Sequence, residues 1–218
     1  MRLSEQTVSL LKNFASINQN LQFKTGNKLQ TISPQKNILV NAEITESFPS
    51  DFAIYDLNKF LGVLSLFQDP TLEIGEKRMN VGGKVNYVFA DPSMILVPPD
   101  KELVFPEPEV SFALTNADFT QVIKAASLLG LPHICVVGNG TEITLEATDV
   151  NNSASDDYKT GVGTTNETFN LVFKIENLKL YSGDYHVELT SQGISKFSHT
   201  SKNLQYFIAT ESDSSFGV

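Results

Sequence analysis

Cysteine is almost missing from this chain: of 218 residues only Cys135 carries a thiol. No internal disulfide can staple the fold, and a reducing compartment is the easier home. No stretch approaches the roughly 18 apolar residues of a membrane span. The amino terminus turns polar at once, at Met1-Arg2-Leu3-Ser4-Glu5, without the apolar core and small-residue cleavage site of a secretion signal. These absences point to a cytoplasmic protein with no membrane association. Basic residues are also scarce, 16 against 25 acidic ones, for a formal charge of -9. Glycine and proline together make up 22 positions with no short period, which excludes collagen-like and most disordered classes. With 21 aromatic residues the chain is no solvating acidic tail and needs a core.

Catalytic chemistry is equally thin. One cysteine and the scattered His133, His186 and His199 make no zinc pattern. His133 and Cys135 share one face of a strand, but the run Ile134-Cys135-Val136-Val137 reads as buried, and a buried thiol is usually inert. Asp149, Asn151, Ser153, Ser155 and Asp157 alternate like calcium-loop ligands. Ala154 stands where the turn glycine belongs, however, and Thr160 where a glutamate belongs. The glycine pairs at 138/140 and 161/163 lack the third glycine and precede strands, so neither is a dinucleotide fingerprint, and no phosphate-binding Gly-Lys-Ser/Thr loop occurs. No catalytic residue, metal or cofactor is therefore expected, and any ATP needed for its action must be hydrolysed by another protein.

What the sequence does contain is a loose repeat. Residues 97–109 hold four of the nine prolines, and each removes a backbone donor and biases its predecessor toward extended geometry. This stiff connector falls near the midpoint and divides the chain into domain 1 (1–95), connector (96–113) and domain 2 (114–218). Acidity concentrates in the later parts: basic and acidic residues number 9 and 9 in domain 1, 1 and 4 in the connector, and 6 and 12 in domain 2.

Each half opens with a helix cap, at Ser4 and Thr115, where a hydroxyl can accept from free first-turn amides. The apolar stripe Leu10, Leu11, Phe14 and Ile17 recurs as Val122, Ile123, Ala126 and Leu129. Strands are expected at 21–25, 28–33, 37–44, 133–137 and 142–148. A second repeated unit, 51–60 against 171–180, reads as a strand running into a helix, with Asp56 and Glu176 near the helix starts, where the dipole favours an acid. Strands at 184–191 and 204–211 follow. The pattern per half is helix, strands, helix, strands, an α+β fold in duplicate. The tail from 212 to 218, rich in Ser, Asp and Gly, is expected to fray.

The segments Leu10-Leu-Lys-Asn-Phe-Ala-Ser-Ile-Asn18, Ala53-Ile-Tyr-Asp-Leu-Asn-Lys-Phe-Leu-Gly-Val-Leu-Ser-Leu66, Ala90-Asp-Pro-Ser93 and Leu204-Gln-Tyr-Phe-Ile-Ala209, in this order and spacing, resemble the DNA sliding clamps, in particular the polymerase processivity clamps of T-even-type bacteriophages. The resemblance spans essentially the whole chain. It implies a closed ring of three two-domain subunits, a homotrimer, with twelve helices lining a hole for duplex DNA and sheets outside. It further implies loading by an ATP-driven clamp loader, tethering of the replicative DNA polymerase, and a part in late transcription. A ring needs only weak, sequence-blind attraction to a polyanion, because topology supplies retention. An acidic chain can slide on DNA if its lysines face inward.

The DNA-facing candidates are Lys12, Lys59, Lys124 and Lys179, one in each expected helix, with Lys124 central on its polar face, Lys12 nearer the edge of its own, and Arg2 a weaker fifth. Against this stands the reading that they are solvated surface residues. In the connector, Leu103, Val104 and Phe105 are apolar where exposure is expected and fit a cover for a partner-peptide groove. The resemblance adds Ile32, Phe207 and Ala209 as its floor. The alternative is that they only anchor the connector. A β-rich virion or adhesion module that tolerates loss of the lysines is the competing function, and a hydrolase the third.

Overall fold

The computed structural model describes residues 1–101 and 103–217; Glu102 of the expected connector and Val218 of the tail lie outside the described residues. The chain forms two units, Met1–Glu102 and Leu103–Val218.

In the first unit, α1 (Glu5–Ile17) starts where the Ser4 hydroxyl accepts from the Thr7 amide, as its sequence dictates. It buries Leu10, Leu11, Phe14 and Ile17. Antiparallel pairs follow: β1 (Leu21–Phe23) with β4 (Phe52–Ile54), and β2 (Gly26–Ile32) with β3 (Ile38–Phe48). Asp56 caps α2 (Leu57–Leu64), accepting from the Lys59 amide. A three-stranded sheet, β5 (Leu72–Ile74), β6 (Arg78–Val81) and β7 (Val85–Val88), closes the unit. Its core is aromatic: Phe23 stacks on Phe52 at 4.6 Å and meets Phe48 edge-on at 4.9 Å, geometries that rings prefer.

In the second unit, β8 (Val110–Leu114) leads into α3 (Asn116–Leu129), capped by Thr115 and stopped by Gly130 in the left-handed region at φ 68°, where a Cβ would be strained. Thus β8 begins inside the stretch 96–113 read as connector. The strands β9 (His133–Asn139), β10 (Glu142–Thr148), β11 (Tyr158–Thr164), β12 (Thr168–Lys174) and β16 (Ser215–Phe216) form one sheet in the order β11-β10-β9-β12-β16. The strands β13 (Tyr185–Leu189), β14 (Ile194–His199) and β15 (Leu204–Ala209) join β8 in the order β15-β14-β13-β8.

Three expectations are corrected. Residues 175–180 do not form an α-helix: the segment makes one 3-10 turn, Ile175–Asn177, so α1, α2 and α3 are the α-helices among the described residues. Where Asp56 caps α2, Lys174 precedes the turn and offers no acceptor. The residues beyond are drawn to the sheet instead, because the Tyr181 amide donates to Tyr206 Oη at 3.1 Å and Tyr185 Oη donates to the Tyr181 carbonyl at 2.6 Å. The α3 stripe is also narrower than expected: Val122 and Ala126 are buried, but Leu129 is 43% exposed. Finally, the tail does not fray where expected. Phe216 pairs with Phe169 in the sheet, and their rings stack at 5.4 Å.

Candidate nucleic-acid interface

The helices α1, α2 and α3 each carry one of the expected lysines, away from their buried residues. Lys12 lies two residues from buried Leu10 and Phe14, Lys59 two from Leu57 and Leu61, and Lys124 two from Val122 and Ala126. At 100° per residue, each ammonium stem leaves its helix about 160° from both flanking buried residues. All three are exposed. Lys12 has the buried Leu11 about 100° away, whereas the buried residues of α3 stand about 160° from Lys124, so Lys12 lies nearer the edge of its polar face. Burial is what reveals this shared register, because apolar residues alone do not fix the width of each stripe.

Lys179 differs. It is half-buried and lies after the 3-10 turn, on no α-helix. Arg2 lies before α1 and pairs with Asp69 at 2.8 Å, so its charge is partly met within the unit. A cleft of about 630 Å³ between the start of α1 and the end of α2 has Lys12 and Glu5 among apolar neighbours such as Val8, Leu61 and Phe67.

The start of α1 has an electrostatic lock that the sequence reading missed. Glu46, on β3, accepts from the Ser4 amide and, at 2.7 Å, from the Thr7 hydroxyl. Burial disfavours its charge, but these hydrogen bonds outweigh burial and hold its carboxyl down to about 2. The signal in sequence, a lone glutamate 39 residues from Thr7, was too distant to read.

The partner-peptide candidates divide between the units. Ile32 ends β2 of the first unit and is buried. In the second unit, Phe105 lies against Phe207 with ring centroids 6.0 Å apart, and the Lys196 ammonium sits 5.3 Å from the Phe105 ring. Phe207 is 6% exposed, whereas Leu103 and Val104 are 38% and 82% exposed. Ala209 is half-buried and stands opposite Ile194. The connector is tied at both ends: the Leu96 amide donates to Asn20 Oδ1 and Lys24 pairs with Asp100 at 2.7 Å, while Ser191 donates to Glu109. Lys196 is the member of the Phe105 cluster that sequence reasoning missed.

The thiol and the calcium-like loop sit together. Burial, with Glu146 nearby, pushes the Cys135 thiol up to about 12. The His133 Nδ1 accepts from the Val150 amide at 3.4 Å, a fold contact. Residues 149–157 make polar turns over a cleft of about 380 Å³. Among the described residues no group of three or more His, Cys, Asp or Glu is placed to hold a metal, and no helix is long and apolar enough to cross a membrane.

Comparison with known proteins gives this architecture a family. Residues 4–82 match the DNA polymerase processivity factor family, and residues 111–212 match the C-terminal part of the gp45 sliding clamp family. The sliding clamp of Vibrio phage KVP40 is 36% identical over 97% of this chain and 99% of its own. The sliding clamp of Enterobacteria phage T4 is 31% identical over 98% of each. The fold is shared more widely. PCNA of A. fulgidus, solved with the C-terminal region of FEN-1, superimposes with a TM-score of 0.71 at 14% identity over 97% of each chain. The Helicobacter pylori beta clamp, solved with a DNA ligase peptide, gives 0.72 at 16% identity over 97% of this chain and 65% of that one.

The chain belongs to the phage sliding clamp family, the processivity factors of DNA polymerases. It is therefore a non-enzymatic replication protein, and the virion or adhesion reading is set aside.

Proposed function

We propose that three copies of this chain close into a ring around duplex DNA, that an ATP-dependent clamp loader places the ring there, and that the ring tethers the replicative polymerase in the host cytoplasm. The observation that carries this reading is the common register of Lys12, Lys59 and Lys124: three helices bury their apolar sides and hold one cation two residues from buried positions on either side. Such spaced ammonium groups attract phosphates without reading bases, which suits a protein that must slide. Lys179 and Arg2 contribute less, the first for want of a helix and the second through its pairing with Asp69.

The partner peptide docks where Leu103 and Val104 stand exposed beside the Phe105–Phe207 pair. Ala209, two residues along the same strand as Phe207, continues that floor. PCNA of A. fulgidus and the H. pylori beta clamp, both of this fold, were solved with partner peptides, which supports a peptide site here.

The test loads the protein, with loader and ATP, on circular and on linearised DNA. Retention on the circle and loss from the linear form is expected; equal retention on both refutes encirclement. Changing Lys12, Lys59 and Lys124 to Ala should weaken DNA binding and flatten its salt dependence, by about one unit of slope for each phosphate no longer neutralised.

A further inference from the structure

The second unit lacks its second helix, yet a folded segment takes the place. In the repeat, α2 corresponds to residues 177–184, and the end of this stretch lies against the start of α3. The Asn116 amide donates to Asp184 Oδ1 at 2.7 Å, while Asn116 Oδ1 accepts from the Gly183 amide at 3.0 Å and from the Ser182 hydroxyl at 3.2 Å. In the first unit it is α2 that packs beside α1. Burial alternates along β8, β13, β14 and β15, so Leu114, Tyr185, His199 and Tyr206 share the buried face of their sheet, and Glu188 and Lys196 the other. Tyr181 bonds to both Tyr185 and Tyr206, which sets the segment on the buried face, away from the Lys196 side where Phe105 lies.

The turn after β14 brings a cation to this segment. The Thr200 amide donates to the Asp184 carbonyl at 2.9 Å, and the Ser201 amide donates to His199 Nδ1 at 3.2 Å. His199 Nε2 is thereby left to donate to the Ser182 carbonyl at 3.3 Å. Fixed in this way, the turn sets the Lys202 ammonium 5.8 Å from the centre of the Tyr181 ring. Lys202 is half-buried and makes no ion pair among the described residues, and Asp184, the acid of the segment, is engaged by Asn116.

A lysine stem laid on an aromatic ring keeps its charged head in water, and the ring restricts its rotamers, so less freedom is lost when it meets an anion. We propose that Lys202, steadied by Tyr181, contacts the phosphate backbone of duplex DNA from the segment that replaces the missing helix. The contact adds to those of Lys12, Lys59 and Lys124. It comes from a strand-to-strand turn, where no helical periodicity marks it. Lys179, which the repeat sets opposite Lys59, is not the cation placed on the ring. The inference rests on the DNA-encircling reading above and names a further residue for it.

The experiment follows the binding of a short fluorescent duplex to the full chain, as anisotropy over a range of salt concentrations. It compares the unaltered chain with Lys202→Ala, Lys202→Arg, Tyr181→Leu, the double variant Tyr181→Leu/Lys202→Ala, and the triple change of Lys12, Lys59 and Lys124 to Ala. Circular dichroism checks that each variant folds. Lys202→Ala should weaken binding at least about threefold at low salt and lower the salt slope by about one unit for each phosphate no longer neutralised. Lys202→Arg should keep both. Tyr181→Leu should weaken binding about twofold in the unaltered chain and add nothing in the Lys202→Ala chain, because the ring acts through the lysine. If the triple change flattens the slope and Lys202→Ala does not, or Tyr181→Leu weakens the Lys202→Ala chain as much as the unaltered one, the Lys202 contact is overturned while the DNA reading stands. If the unaltered chain shows no salt-dependent binding, both fall.

Discussion

Glu46 and Cys135 show how single residues here serve the fold. Because Glu46 titrates near 2 in the folded chain against an ordinary 4.5, its contribution is present above pH 4.5 and is lost as pH falls from there toward 2. Chemical denaturation across that window should show the unaltered chain losing more stability than Glu46→Gln; parallel loss in both would remove Glu46 as the cause. Cys135, at 2% exposure and with its thiol pushed up to about 12, is protonated at neutral pH. Iodoacetamide at pH 8 should leave it unmodified in the native protein and label it once denatured. Its inertness was legible in sequence, since three apolar neighbours frame it. The role of Glu46 was not, because its partners lie a whole helix and two strands away along the chain.

At the scale of elements, the two halves follow one pattern until their second helix. Caps at Ser4 and Thr115 are local devices and read directly from sequence, whereas Asp56, expected near a helix start for its charge, proves to cap α2 by a hydrogen bond. The segment after β12 has the composition of a short helix but no capping acceptor, and a tyrosine hydroxyl 25 positions away takes its Tyr181 amide. Tyr206→Phe should leave that amide unmet and cost about 1 kcal/mol of unfolding free energy, measured by denaturant titration. Gly138 is a sharper case: an added Cβ would fall 2.3 Å from the Phe169 ring, the same ring that stacks on Phe216. Gly138→Ala should therefore destabilise the second unit by about 1–3 kcal/mol and release the tail strand, visible as faster amide exchange at Phe216. Stability unchanged within about 0.5 kcal/mol would contradict that packing.

For the whole molecule, the deficit of basic residues is compatible with DNA binding because position matters more than total. Three cations stand on helix faces, while much of the acidity lies in the second unit and the connector. DNA affinity should fall steeply with added salt despite the net charge of -9. A salt-insensitive affinity, followed by fluorescence anisotropy on duplex DNA, would exclude the helix lysines as the contact.

Residue order alone was enough for the duplication, the caps, the aromatic and aliphatic core and the family, because these rest on periodicity, on short-range hydrogen bonding and on spacing along the chain. Folding in three dimensions was needed to establish that Lys12, Lys59 and Lys124 share one register, that residues 175–180 forgo a helix, and that the tail adds a strand. Each of these depends on partners brought together from distant parts of the chain, where hydrogen bonding and burial override what neighbouring residues prefer.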